Sequence, residues 1–108
     1  MIRRNGRPIH ANVPRPSDPD TIALSRAVEE RFLRLCKSWL KIRGEEMLIP
    51  PDMDGDLLRW RSMCVRHRKG DFRHTEAESK SLRTVAQWTL DMNCVLRNQP
   101  LIKLVWGD

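Results

Sequence analysis

Guanidinium groups are the side chains of this sequence best suited to chemistry, and they are concentrated in two regions. The stretch from residue 59 to residue 74 holds six cations and one acid, Asp71, for a net charge of +5. The N-terminal arm, residues 1–17, holds four arginines and no acid. Because the whole chain carries only +6, the remainder is mildly acidic. Such localised positive charge is typical of proteins that bind a polyanion, most often nucleic acid.

The candidate nucleic-acid-binding residues follow from this concentration of charge. They are Arg59, Arg61, Arg66, Arg68, Lys69, Phe72 and Arg73, together with Arg3, Arg4 and Arg7 of the arm. Like charges this close destabilise a helix unless anions relieve them, and Asp56 and Asp71 are the only nearby acids in sequence. We therefore expect phosphates to supply the missing charge. The alternative is internal pairing with acids of the preceding loop, Glu45, Glu46, Asp52 and Asp54.

Aromatic side chains beside the cations favour single-stranded over duplex DNA, because unpaired bases stack on aromatic rings. Phe72 is the better candidate for stacking, since its neighbours place it in a loop. Trp60 has helical spacing within the apolar pattern, which predicts a core position.

Metal binding and catalysis have weaker support. Cys64 and His67 are one helical turn apart and His74 is near in sequence, but a second cysteine pair, usual at zinc sites, is missing. A calcium loop starting at Asp52 fails because its twelfth position is Met63 rather than glutamate. No serine occupies a glycine-flanked nucleophile turn. We therefore expect no metal, no cofactor and no enzymatic activity.

Two helices are predicted before residue 71. The pair Asp18-Pro19 is typical of a helix start, and Gly44 of its end. The apolar stripe of this helix is Leu24, Val28, Phe32, Leu35, Trp39 and Ile42. A second, shorter helix would be capped by Asp54 or Asp56 and would end at Gly70. Its apolar face would comprise Leu57, Trp60 and Cys64, with Val65 as a further candidate.

A third helix is predicted from a capping box, Thr75 to Glu78, to about Asn98. Its stripe comprises Leu82, Val85, Trp88, Met92 and either Val95 or Leu96. Pro100 would end it, and residues 101–106 would form an apolar tail folded back onto the bundle.

The predicted fold class is therefore all-α, a small three-helix bundle with an extended basic N-terminal arm and a short apolar C-terminal tail. Residues 1–17 form the flexible arm and residues 18–108 the single helical domain. The arm lacks the apolar segment of a signal peptide, and we interpret the three cysteines as buried free thiols. We therefore expect a cytoplasmic protein that does not enter membranes.

In size, charge and three-helix plan, the chain resembles the small helical anti-CRISPR proteins of phages and mobile elements. The likeness includes no shared motif and assigns no residue. It implies a stoichiometric inhibitor of a host nucleic-acid-targeting complex, binding DNA such as the displaced single strand of an R-loop.

Two alternatives remain open. The basic face could dock on an acidic protein partner, with apolar anchors such as Trp106. The protein could also be a small helix-turn-helix-like transcriptional regulator that reads bases with Lys80, Arg83 and Gln87. The third helix lacks the Trp-Phe-x-Asn pattern of homeodomains.

Overall fold

Three helices and one short antiparallel ladder make up the described part of the protein. A computed structural model describes the backbone of residues 13–106 and the side chains of residues 13–97. Helix α1 spans Pro19–Arg43, α2 spans Asp54–Arg68 and α3 spans Glu76–Trp106, with a 3₁₀ turn at Pro51–Met53. Strand β1, Arg15–Pro16, pairs with β2, Arg73–His74. The predicted all-α three-helix bundle is confirmed, and in these residues no helix has the length and apolarity needed to cross a membrane.

Helix α1 begins and ends as the sequence predicts. The Asp18 carboxylate accepts a hydrogen bond from the backbone N–H of Thr21 at 2.7 Å, and Pro19 is the first helical residue. Gly44 ends the helix in the left-handed region, with φ of 73°, and its N–H donates to the carbonyl of Leu40. The middle of the predicted stripe is buried, whereas its two end positions, Leu24 and Ile42, are exposed because no other element covers them within residues 13–97.

Helix α2 starts differently from the prediction, which assigned its cap to Asp54 or Asp56. No side chain caps it, because the 3₁₀ turn already has helical geometry and leads directly into Asp54. The carboxylate of Asp56 instead accepts hydrogen bonds from Arg59 and Ser81. Leu57, Trp60 and Cys64 are buried as predicted, and Val65 is exposed.

Helix α3 has the predicted capping box but not the predicted end. The Thr75 hydroxyl accepts from the N–H of Glu78 at 3.1 Å, and the Glu78 carboxylate accepts from the N–H of Thr75 at 2.9 Å. The helix then continues through Pro100 to Trp106, so the predicted fold-back tail is wrong. An internal proline costs about 3 kcal/mol by removing one donor and crowding the preceding turn, but its own φ is helical.

The core consists of two adjoining clusters. The first joins all three helices and includes Val28, Trp60, Met63, Leu82 and Val85. Phe32 packs at its edge, with ring centroids 5.3 Å from Trp60 and 6.0 Å from Trp88. The second cluster comprises Leu35, Trp39, Met47 and Leu96, and it contains no residue of α2.

The three cysteines are free thiols, but they are not all buried. Cys64 is buried and Cys36 half-buried, whereas Cys94 is exposed on α3. The prediction is therefore wrong for Cys94, because position 94 lies off the stripe that faces the core.

Candidate nucleic-acid interface

The β1–β2 ladder brings the end of the N-terminal arm to the turn between α2 and α3. Arg15 lies opposite His74, and Pro16 lies opposite Arg73. The backbone N–H of Ser17 extends the contact by donating to the carbonyl of Phe72 at 2.8 Å. The described end of the arm, which carries Arg15, therefore meets the second basic region of the sequence.

Side-chain contacts of Ser17 add to the backbone hydrogen bonds at this junction between β1 and the α2–α3 turn. The Ser17 hydroxyl lies 2.6 Å from Nδ1 of His74 and 3.2 Å from Nε2 of His67, so it can donate to one ring and accept from the other. His67 is only 5% exposed. Burial lowers the pKa of His67 and outweighs the opposing effect of the Arg73 backbone, and the positive charge of Arg66 acts in the same direction as burial. The bridge is therefore suited to an uncharged His67.

The turn that follows α2 positions the predicted stacking residue. Gly70 adopts a φ of 88°, which favours glycine, and its N–H donates to the carbonyl of His67. Phe72 then lies against the His67 ring, with centroids 5.7 Å apart, and remains 39% exposed. One part of its ring is thus accessible to a base, and another part packs on the protein.

Four of the six predicted cations have carboxylate partners inside the protein, contrary to the expectation that acids nearby are too few. Arg66 pairs with Glu78 and Arg68 pairs with Glu29, so α1 and α3 supply two of these acids. The other two pairs are local: Arg59 with Asp56 at 3.2 Å, and Arg73 with Asp71 at 2.7 Å. The loop acids considered as alternative partners are not used in these pairs.

The Arg66–Glu78 pair links α2 to the capping box at the start of α3. One oxygen of Glu78 accepts from both Arg66 and the backbone N–H of Thr75, and the side chain is 8% exposed. Burial alone would raise the pKa of Glu78, but the hydrogen bonds from Arg66 and Thr75 outweigh it and hold the pKa below its ordinary value. Arg66 therefore stabilises the start of α3 in addition to carrying charge.

Arg61 and Lys69 are exposed, and neither forms an ion pair within residues 13–97. Arg15 of β1 is exposed as well. The basic stretch holds six cations, which Asp71, Asp56, Glu29 and Glu78 offset to leave a net charge of +2 before the arm's four arginines are counted. The surface stays positive despite internal pairing. Arg3, Arg4 and Arg7 lie outside the described residues.

Trp60 and the residues considered as zinc ligands do not belong to this interface as a base-stacking or metal site. Trp60 is 2% exposed and belongs to the core, as its spacing predicts. Cys64, His67 and His74 do not converge on a metal position, and within the described residues no three histidine, cysteine or acidic side chains do so.

The Ser17–His67–His74 bridge was not predicted from the sequence. A pattern for His67 was present, because it follows Trp60 by seven residues and Cys64 by three, which places it on the buried face of α2. No comparable pattern links Ser17 to either histidine, since the contact joins residues 50 and 57 positions apart.

Comparisons with other proteins assign no family to this chain. No protein-family model matches it, and no curated protein or solved structure is significantly similar to it.

Proposed function

We propose that this protein binds nucleic acid without catalysing a reaction, through the surface formed by β1, β2 and the exposed side of α2. One observation carries the proposal: the β1–β2 ladder joins the arginine-rich arm to the second basic region. Two separate clusters of charge would each contact a short phosphate run. Because β1 brings Arg15 to the second basic region, the positive surface available to a strand of nucleic acid is longer than that region alone.

The internal ion pairs do not remove the arginines from this role. A guanidinium group has five N–H donors, so an arginine that binds a carboxylate can still donate to a phosphate. Arg61, Lys69 and Arg15 carry no such partner in the described residues and are the primary phosphate contacts. The exposed part of Phe72 favours single-stranded DNA, in which a base is free to stack.

The resemblance to anti-CRISPR proteins extends the proposal to a biological role. A small, non-enzymatic protein that holds single-stranded DNA would act stoichiometrically, by occupying the strand that a host targeting complex exposes. Inhibition of R-loop-dependent cleavage at one protein per complex is the expected behaviour.

The experiment measures binding of a fluorescent single-stranded oligonucleotide by anisotropy at low and moderate salt. The double variant Arg61→Gln/Lys69→Gln removes two phosphate contacts, so it should weaken binding by about tenfold and reduce the slope of the salt dependence by about 1.4 units, at about 0.7 per contact. The matched control, Lys80→Gln/Arg83→Gln, removes two exposed charges from α3 and should retain wild-type affinity. Equal losses in both variants, or no loss in the first, would reject the proposed surface.

The more obvious charge reversal, Arg66→Glu/Arg68→Glu, is a poor test. Each arginine binds an acid of another helix, so the double variant would place like charges beside Glu78 and Glu29. Loss of binding would then be inseparable from loss of structure.

A protein partner is a second candidate, favoured by the apolar side chains on the same face of α2. Leu58 and Val65 are exposed on either side of Arg61, at helical steps of three and four residues. An acidic partner with aliphatic contacts would fit this face. Co-purification that survives nuclease and high salt, and is lost in Leu58→Ser/Val65→Ser, would support it.

The helix-turn-helix alternative would use the polar face of α3. There the Gln87 amide donates to Asp91 at 3.0 Å, and Arg83 donates to Ser79 at 3.1 Å. To recognise bases, Gln87 and Arg83 would have to break these hydrogen bonds and form new ones with the base edges. Duplex DNA in the same anisotropy experiment tests this alternative directly.

A further inference from the structure

A groove of about 570 Å³ separates α1 from α3 on a surface that the nucleic-acid proposal does not use. Arg31, Arg34 and Ile42 line it from α1, and Leu90, Cys94 and Arg97 line it from α3. The positions recur at steps of three, four, seven or eight residues, so each helix contributes one continuous face. The groove therefore runs along the helices.

Helix α2 does not reach this groove, and within the described residues none of its side chains lines it. The core cluster beneath it contains Leu35 and Leu96, and none of its members comes from α2. Helix α2 has 15 residues and α1 has 25, so α2 is too short to cover the full length of α1. Ile42 is 56% and Leu90 47% exposed. Within residues 13–97, no element other than α1 and α3 lines these apolar side chains.

The groove is also positively charged. Three arginines line it, and no acidic side chain does so among the described residues. Arg31 is half-buried and donates to the hydroxyl of the buried Thr89 at 3.3 Å, but it pairs with no carboxylate within residues 13–97. A guanidinium that is held in place without a counter-charge is ready to bind an anion.

The apolar lining distinguishes between two kinds of anionic ligand. Nucleic-acid strands stack their bases on aromatic rings, and no aromatic side chain lines the described groove. Leucine and isoleucine instead match the aliphatic side chains of a protein. The ligand should therefore combine carboxylates with aliphatic anchors.

We propose that this groove binds an acidic amphipathic helix of a protein partner. The eleven-residue separation of Arg31 and Ile42 corresponds to about 16 Å, or roughly three turns of a bound helix. Leucines of the partner would pack against Ile42 and Leu90. Glutamates on either side of those leucines would pair with Arg31, Arg34 and Arg97, as in other helix-in-groove complexes.

The test uses a fluorescent helical peptide of about 18 residues, long enough for stable turns, with leucines at heptad a and d positions and glutamates beside them. A matched peptide carries lysines in place of the glutamates. We expect the glutamate peptide alone to bind, and Arg34→Glu/Arg97→Glu to weaken it by at least about tenfold. Lys80→Glu/Arg83→Glu is the control with the same charge change outside the groove.

A second readout depends on the exposed thiol in the groove. The glutamate peptide should slow alkylation of Cys94 and leave the rate at Cys36 unchanged. Equal binding of both peptides, no effect of Arg34→Glu/Arg97→Glu, or unprotected Cys94 would overturn the proposal. So would the finding that these substitutions weaken binding of the oligonucleotide rather than of the peptide. Loss of oligonucleotide binding in Arg61→Gln/Lys69→Gln tests the other surface independently.

Discussion

The Oγ atom of Ser17 lies 2.6 Å from Nδ1 of His74, although 57 residues separate them in the chain. The same hydroxyl lies 3.2 Å from the buried His67. The side-chain contacts of Ser17 thus hold the end of β1 next to β2, in addition to the backbone hydrogen bonds of the ladder. The position of Ser17, and with it the end of β1, therefore depends on the imidazole rings of His67 and His74.

This junction should weaken in mild acid. Because burial lowers the pKa of His67 below its usual 6.5, the unfolded chain binds the proton more readily than the folded protein. The free energy of unfolding should therefore fall as the pH falls through 6.5 toward the folded-state pKa. Thermal midpoints measured across this range should decrease for the wild type and vary less for His67→Gln. If His67→Gln showed the same pH dependence as the wild type, the loss of stability in mild acid could not be assigned to His67.

Replacing Ser17 tests the same junction at constant pH. Ser17→Ala removes the hydroxyl but keeps the backbone bond from position 17 to Phe72. We expect hydrogen exchange at the amide of position 17 to accelerate, since the ladder loses its side-chain support, and exchange within α1 to remain unchanged. Unchanged protection at position 17 would show that the ladder alone holds the arm.

Glu78 should control stability in stronger acid. Its pKa lies below the ordinary value of 4.5 in the folded protein, so its contribution is present above pH 4.5 and is lost as the pH falls through the folded-state pKa. Glu78→Gln should cost about 1 to 2 kcal/mol at neutral pH, because it replaces a charge-assisted hydrogen bond to the partly exposed Arg66 by a neutral one. Urea unfolding measures this cost. Glu76→Gln, an exposed change in the same helical turn, should have little effect.

Leu35 and Leu33 provide a matched pair within α1. Leu35 is 1% exposed and Leu33 is 57% exposed, although they are two residues apart. Leu35→Ala should reduce the free energy of unfolding by about 2 to 5 kcal/mol, because it leaves a cavity in the second core cluster. Leu33→Ala should change it by at most about 0.5 kcal/mol. Similar thermal midpoints in the two variants would show that the helix face is assigned wrongly.

Trp60 should tolerate loss of its ring nitrogen better than loss of its ring. Its Nε1 is buried and has no hydrogen-bond acceptor within the described residues. Trp60→Phe removes this unsatisfied donor and should cost less than about 1.5 kcal/mol, whereas Trp60→Ala should cost about 3 to 5 kcal/mol. Denaturant titration distinguishes the two. A phenylalanine variant as unstable as the alanine variant would point to a bound partner for the indole N–H.

Much of the local structure could be predicted from the sequence. The cap at Asp18, the end at Gly44 and the Thr75–Glu78 capping box are all present, because each depends on residues no more than four positions apart. The buried centres of the stripes follow from the helical repeat. The concentration of cations is likewise a property of the sequence alone.

The tertiary structure decided which of those cations remain available. Glu29 and Glu78 become partners of Arg68 and Arg66 only because α1 and α3 pack beside α2, and nothing near either arginine in sequence indicates this. The continuation of α3 through Pro100 also went against a local rule. Local rules describe what each residue does to its own turn of helix. Ion pairs, the Ser17 bridge and the α1–α3 groove depend instead on which helical faces meet, and that is settled by packing of the whole chain.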